Sequence, residues 1–165
     1  MVTKVEEVKN LVELGIKQPE AAFPKIKELA QSDDWKVREV AATCLVEISK
    51  RRRQEVLAEM TWWVEQKDAN IRRASVEGLR GIARKDPEAV FPILEKAKTE
   101  DNLYVKKSVA NVLRNASKYD PDLVFELCQK WALLNNPNTN WIIKDGIKKL
   151  PPDQQREILS LIKRA

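Results

Sequence analysis

Basic side chains recur at one spacing in two stretches of this 165-residue chain. At about 100° per helical residue they fall in the solvent-facing sector of two helices, and Glu77 is almost the only acid beside them. Stacked helices of this kind would present two columns of positive charge to a long anion. A nucleic-acid backbone fits, because phosphate contacts give salt-sensitive affinity without reading the bases. The predicted anion-binding residues are Arg73, Arg80, Arg84, Lys107, Arg114 and Lys118.

The residue types that are missing exclude much catalytic chemistry. The chain contains no histidine, which removes Ser-His-Asp and Cys-His nucleophile pairs, the HExxH zinc motif and histidine general bases. Its two cysteines, Cys44 and Cys128, stand far apart on apolar helix faces. We expect reduced core residues there rather than a disulfide or a metal site, and we expect no cofactor and no metal.

Targeting signals are also missing from the sequence. The first residues, Met1 to Glu7, form no apolar signal region, and no apolar run approaches the ~18 residues that a membrane span needs. We therefore expect a soluble, cytoplasmic protein without a membrane partner, and a monomer.

The register of the basic residues depends on an internal repeat. A Pro-Glu-Ala-x-Phe-Pro phrase begins at Pro19 and again, 68 residues later, at Pro87. A shorter copy begins at Pro121, a further 34 residues along the chain. A second phrase steps by 34 from Val37 to Ile71 to Val105, and each copy opens a helix with an apolar stripe. A fixed period between 20 and 50 residues is typical of a helical solenoid.

We therefore predict one all-α domain over residues 1–165, an α-solenoid of about five repeats. First-type helices, which mostly begin with proline, are predicted at about 19–31, 53–66, 87–99, 121–134 and 152–164. Second-type helices, which follow the Val or Ile phrase, are predicted at about 34–50, 69–84, 102–117 and 139–150, and a further helix at about 2–16.

Charge is divided unevenly between the two helix types. The segments that hold the second-type helices, residues 34–53, 69–85, 101–118 and 138–149, carry 18 positive and 6 negative side chains, a net of +12. Because the whole chain carries +5, the remaining residues carry −7. We expect the second-type helices to form a basic surface. It begins at residues 50–53 and is extended by Lys144, Lys148 and Lys149.

The tryptophans are assigned by helix type. Those on first-type helices are predicted to be core or packing residues: Trp62, Trp63 and Trp131. Trp35 and Trp141 lie at the beginning of second-type helices, where contact with a base or sugar is the alternative to packing.

The phrase Asp-x-x-Val-Arg-x-x-Ala-x-x-x-Leu after a proline-led helix resembles HEAT repeats, and the resemblance covers essentially the whole chain. It implies that the second helix of each pair lines a concave face. It also implies a structural role for Arg38, Arg72 and Lys106, which would pair with acids of neighbouring repeats.

Two stretches carry a more specific resemblance. Residues 71–80, Ile-Arg-Arg-Ala-Ser-Val-Glu-Gly-Leu-Arg, and residues 103–113, Leu-Tyr-Val-Lys-Lys-Ser-Val-Ala-Asn-Val-Leu, are similar to the HEAT-like DNA alkylation repair proteins, the alkylpurine DNA glycosylases of the AlkC and AlkD type. The resemblance implies a concave basic face that holds duplex DNA and a carboxylate near the sugar. Glu77 stands where the family has its Ser-x-Glu-Gly glutamate, and Glu39 matches an earlier acid. Asn111, where the AlkD branch has tryptophan, joins the predicted DNA-binding residues.

The departures from this family fall on its chemistry. Asn115, which cannot be ionised, stands where the family has an acid, and residues 81–85 lack the Arg-Leu-Pro-Trp that should follow the glutamate. The sequence therefore favours a DNA-binding protein in which glycosylase catalysis is weakened or lost. Two alternatives stay open: an active alkylpurine DNA glycosylase that uses Glu77, and a scaffold whose basic face binds an acidic protein partner.

Overall fold

The computed structural model describes residues 3–164, with side chains up to Ile162. Over these residues it contains helices and turns but no strand, which confirms the predicted all-α fold. The predicted start of the first helix at residue 2 lies outside the described residues. The helices are α1 (Lys4–Lys17), α2 (Pro19–Ala30), α3 (Trp35–Ser49), α4 (Arg53–Trp63), α5 (Ala69–Glu77), α6 (Arg80–Ala83), α7 (Pro87–Ala97), α8 (Leu103–Tyr119), α9 (Pro121–Ala132), α10 (Pro137–Gly146) and α11 (Pro152–Arg164).

The second-type helices begin at side-chain caps that keep the 34-residue period: Asp34, Asp68, Asn102 and Asn136. Each cap oxygen accepts a hydrogen bond from the backbone N–H two residues later, at 2.7–3.0 Å. Such caps satisfy N–H groups that have no partner inside the helix. The cap at Asn136 also explains why α10 begins at Pro137, two residues before the predicted start.

One predicted helix, 69–84, is divided in the structure. α5 ends at Glu77, Gly78 and Leu79 form a turn, and α6 begins at Arg80. Two glycines fall in this stretch, and each lowers helix stability by roughly 1 kcal/mol relative to alanine. A Cβ atom at Gly78 would lie 3.0 Å from Cβ of Leu45, so glycine allows α5 to approach α3 closely.

The chain divides into two compact units, Met1–Ile82 and Ala83–Ala165. In unit 1, α3 packs on α1, α2, α4 and α5, around a core that includes Ile26, Leu45, Ile48, Met60 and Trp63. In unit 2, α8 packs on α7, α9 and α10, and α11 packs on α9. The core of unit 2 includes Ile93, Leu94, Leu113, Trp131 and Ile142.

Arginines that follow the central Val or Ile close the preceding turn of their own repeat. Arg38 Nη1 donates a hydrogen bond to the Ser32 carbonyl at 2.8 Å. Arg72 Nη1 donates to the carbonyls of Gln66 and Lys67, at 3.1 and 2.7 Å. These cations are structural, as predicted, but these contacts are made to backbone oxygens rather than to acids.

The tryptophan predictions are confirmed at two of three first-type positions. Trp63 and Trp131 are fully buried, and their indole N–H groups donate to Glu59 and Glu95 at 2.6 and 2.7 Å. The prediction for Trp62 is wrong: its side chain is 57% exposed.

Both cysteines are buried without a disulfide. Burial raises the pKa of each thiol to about 12, and at Cys44 the Glu7 charge also raises it. In the part of the chain that the structure describes, no helix is both long and apolar enough to cross a membrane.

Candidate nucleic-acid interface

In unit 1, one arginine holds both candidate carboxylates. Glu77 is the last residue of α5 and Arg80 the first of α6, so the turn at Gly78 brings them together. Arg80 Nη1 lies 3.3 Å from Glu77 Oε2, and Arg80 Nη2 lies 3.5 Å from Oε1 of Glu39 on α3. Arg80 Nε also donates to the Glu77 carbonyl at 3.1 Å. The guanidinium thus bridges two helices and partly neutralises both acids.

The two carboxylates differ in their access to solvent. The Glu77 side chain is only 13% exposed, whereas that of Glu39 is 45% exposed. Both line a small cleft between α3 and α5, with room of about 10 Å³, close to the minimum for one water molecule. Arg73 and Asn70 line the same cleft. Arg73 forms no hydrogen bond or ion pair with any residue that the structure describes, so its guanidinium is available to an anion.

In unit 2, four predicted DNA-binding residues form one stripe on α8. Their spacing of 4, 3 and 4 residues keeps them on one face: Lys107, Asn111, Arg114 and Lys118. Lys107 and Lys118 are exposed, and Lys118 has no hydrogen-bond or ion-pair partner within residues 3–164. The same is true of Lys144, which is exposed on α10.

Asp145 on α10 binds two of the predicted cations. Arg114 Nη1 lies 2.9 Å from Asp145 Oδ2 and 3.1 Å from its carbonyl oxygen, and Lys148 Nζ lies 2.7 Å from Oδ1. Burial by itself raises the pKa of Asp145, but the hydrogen bonds and charges of Lys148 and Arg114 outweigh burial and hold that pKa below its usual range. Asp145 was not singled out from the sequence, because nothing there marks it as a neighbour of Arg114.

Arg84 is held by the amide of Asn115, the position at which the resemblance to the alkylation repair proteins implies an acid. Its Nε donates to Asn115 Oδ1 at 2.6 Å, and Asn115 Nδ2 donates to the Asn111 carbonyl at 2.9 Å. Asn115 is only 5% exposed. The amide oxygen of Asn115 accepts from Arg84, and its amide nitrogen donates to the backbone of α8. Asn115 therefore links the Arg84 guanidinium to α8.

In unit 2, the ammonium groups of two lysines lie over aromatic rings. Lys107 Nζ lies 5.5 Å from the ring centroid of Tyr104, and Lys106 Nζ lies 5.3 Å from that of Trp141. Lys106 also donates to Asn138 Oδ1 at 3.2 Å, which ties α8 to α10. Tyr104 was missed as a candidate, although its place three residues before Lys107 could have indicated it. We call Tyr104, Lys106, Lys107 and Trp141 the aromatic–lysine patch.

No group of three or more acidic or cysteine side chains among the described residues could hold a metal ion. The structure thus places a paired carboxylate site in unit 1 and a basic stripe with aromatic rings in unit 2.

The family model for HEAT repeats matches residues 22–114. The chain belongs to the HEAT-repeat family. Among solved structures, it is similar to the Pseudomonas fluorescens alkylpurine DNA glycosylase AlkC bound to DNA containing an abasic-site analogue, with 25% identity and a TM-score of 0.78 over 96% of this chain and 45% of that one. It is also similar to AlkD2 from Streptococcus mutans, with 28% identity and a TM-score of 0.74 over 87% of this chain and 71% of that one.

A curated protein is also similar in sequence. The Bacillus subtilis protein YhaZ is 34% identical over 117 residues, which are 66% of this chain and 32% of that protein. The chain thus spans about a third of YhaZ and less than half of AlkC. The likeness to AlkC and AlkD2 confirms both the predicted solenoid class and the predicted resemblance to the HEAT-repeat DNA alkylation repair proteins.

Proposed function

We propose that this chain binds DNA through the cations of its second-type helices and that its glycosylase chemistry is weak or lost. The observation that carries the proposal is the set of cations without an acidic partner among the described residues: Arg73 in unit 1 and Lys107, Lys118 and Lys144 in unit 2. Cations that are not paired within the fold can release counterions from a phosphate backbone, which is the main source of sequence-independent affinity.

The charge balance supports a polyanion as the partner. Ion pairs inside the second-type segments involve Glu39, Glu47, Glu77 and Asp145, four of the six acids there. If each of the six acids paired with one cation, 12 cations of these segments would still have no acidic partner within them, which favours an anionic ligand. The AlkC structure contains DNA, and it matches 96% of this chain, so DNA is the anion we propose.

The geometry of the carboxylate site supports the proposal that glycosylase catalysis is weak or lost. A glutamate that stabilises positive charge on a sugar acts through its own negative charge, and Arg80 already lies 3.3 Å from Glu77. Asn115 adds no charge at the other candidate position. Both observations reduce the electrostatic stabilisation that this site could offer.

A salt series tests DNA binding. We expect fluorescence anisotropy with a 20-base-pair probe to give a log–log salt slope that falls by about 1.8, or 0.9 per lost phosphate contact, in the double variant Lys107→Gln/Lys118→Gln. The matched control, Lys130→Gln/Arg156→Gln, removes the same charge from exposed first-type positions and should change the slope much less. The proposal fails if the wild-type protein does not bind at low salt, or if the two double variants lose the same slope.

An active glycosylase is the second candidate, because Glu77 is held in a cleft beside the unpaired Arg73. The measurement is release of 3-methyladenine and 7-methylguanine from methylated DNA. We expect release at the background rate. Release that disappears in Glu77→Gln, while DNA binding persists, would instead establish Glu77 as a catalytic residue.

A further inference from the structure

We propose that unit 2 prefers DNA with unstacked, accessible bases over intact duplex, and that the aromatic–lysine patch provides this preference. The inference rests on the proposed DNA binding and adds the class of DNA that the same surface selects. It is carried by the two ring–cation contacts and by the position of one of them, Tyr104 with Lys107, on the face of α8 that holds the basic stripe.

The rings are available to a ligand. Tyr104 is 61% exposed, and the neighbouring Leu103 is 43% exposed. Trp141, on the neighbouring helix α10, is partly exposed. Each ring has a lysine ammonium 5.3–5.5 Å from its centroid, at the outer range of a cation–π contact.

The patch continues into the phosphate-binding stripe. Tyr104, Lys107, Asn111, Arg114 and Lys118 follow at steps of three and four residues, so they share one face of α8. At 1.5 Å per residue, the stripe extends over about 21 Å. Its first turn holds the aromatic ring and the remainder holds the cations, so one strand could stack a base at the start and place its phosphates along the stripe.

Duplex DNA cannot use the rings in this way, because neighbouring bases cover both faces of each base. A single-stranded tail or a gap exposes those faces, and aromatic stacking is tolerant of base identity. A lysine that leaves the ring when a base arrives can pair with a phosphate of the same strand. Stacking of one base corresponds to at least about fivefold in affinity.

The chain offers a matched control for an exposed ring with a lysine. Lys27 Nζ lies 4.5 Å from the ring centroid of Trp62, and Trp62 is 57% exposed. This pair lies on α2 and α4, which are first-type helices outside the basic segments. Loss of this ring removes the same kind of contact without touching the stripe.

The experiment compares two fluorescent probes by anisotropy at one salt concentration: a blunt duplex, and the same duplex with a six-nucleotide single-stranded tail. We expect the 165-residue chain to bind the tailed probe at least about fivefold more tightly. Tyr104→Leu should remove most of this preference and leave the affinity for the blunt duplex unchanged. Trp62→Leu should change neither affinity.

The possible failures are distinguishable. If the wild-type protein binds both probes equally, or if Tyr104→Leu keeps the preference, this inference is overturned while DNA binding stands. If neither probe binds, the proposed function itself fails. Because Tyr104 is exposed, its replacement should preserve the fold, and an unchanged melting temperature verifies this. The double variant Tyr104→Leu/Trp141→Leu provides a second measurement of the same preference.

Discussion

Substitution of Asp145 by asparagine should strengthen DNA binding and weaken the fold. The carboxylate binds Arg114 at 2.9 Å and Lys148 at 2.7 Å, so its removal releases two cations next to the basic stripe. One added phosphate contact increases the salt slope by about 0.9, and at 0.1 M salt, a decade below the 1 M reference, this corresponds to about eightfold in affinity. Anisotropy across a salt series measures both quantities.

The same substitution should cost stability in a pH-dependent way. Hydrogen bonds to charged groups contribute about 1.5–3 kcal/mol, and since the Asp145 side chain is 22% exposed we expect a loss of about 1–2 kcal/mol at pH 7. The folded-state pKa of Asp145 is lowered, so its contribution is present above the unfolded pKa near 3.9 and is lost as pH falls through the folded value. The difference between wild type and Asp145→Asn in urea unfolding should therefore shrink below about pH 4.

Asp153→Asn is the matched control, because it removes the same charge from an exposed position at the beginning of α11. It should leave DNA affinity and stability nearly unchanged. The reasoning is refuted if Asp145→Asn gains no more affinity than this control, or if its destabilisation is the same at pH 3 and pH 7.

Three further substitutions or labels test the packing. Gly15→Ala should destabilise by about 1–3 kcal/mol in urea unfolding, because its Cβ would collide with the Ile48 side chain, 2.7 Å from Cγ1. Trp131→Phe should cost about 1–2 kcal/mol through loss of the 2.7 Å hydrogen bond to Glu95; equal stability of the two proteins would contradict a net contribution from this bond. Because burial raises the pKa of Cys128 to about 12, a thiol reagent at pH 8 should label it only in denaturant.

The repeat made the helices predictable, because their caps and apolar stripes are local in sequence. Asp68 and Asn102 begin α5 and α8 in the same register, and the charged positions follow from that register. The partners of the surface cations were not predictable. A helical wheel gives the angle of a side chain on its own helix, whereas Arg80 and Glu39 are 41 residues apart and Arg114 and Asp145 are 31 apart.

The aromatic residues show the same limit. Trp63 and Trp62 are adjacent on α4, and both were assigned to packing because they lie on a first-type helix. Neighbouring helix positions differ by about 100°, so a helix packed on one side buries one of them and exposes the other. Which of the two is buried depends on the direction in which α4 faces α3, and the sequence does not contain that information directly.

The arginine closure of each turn has a consequence for the history of the chain. Arg38 reaches back six residues to Ser32, and Arg72 reaches back six to Gln66, so each of these two turns is completed by a residue from within its own 34-residue module. A gene duplication that copies one module therefore also copies the group that satisfies its turn carbonyls. New repeats of this type can arise without leaving unpaired backbone oxygens at the junction, and the array can change in length one module at a time.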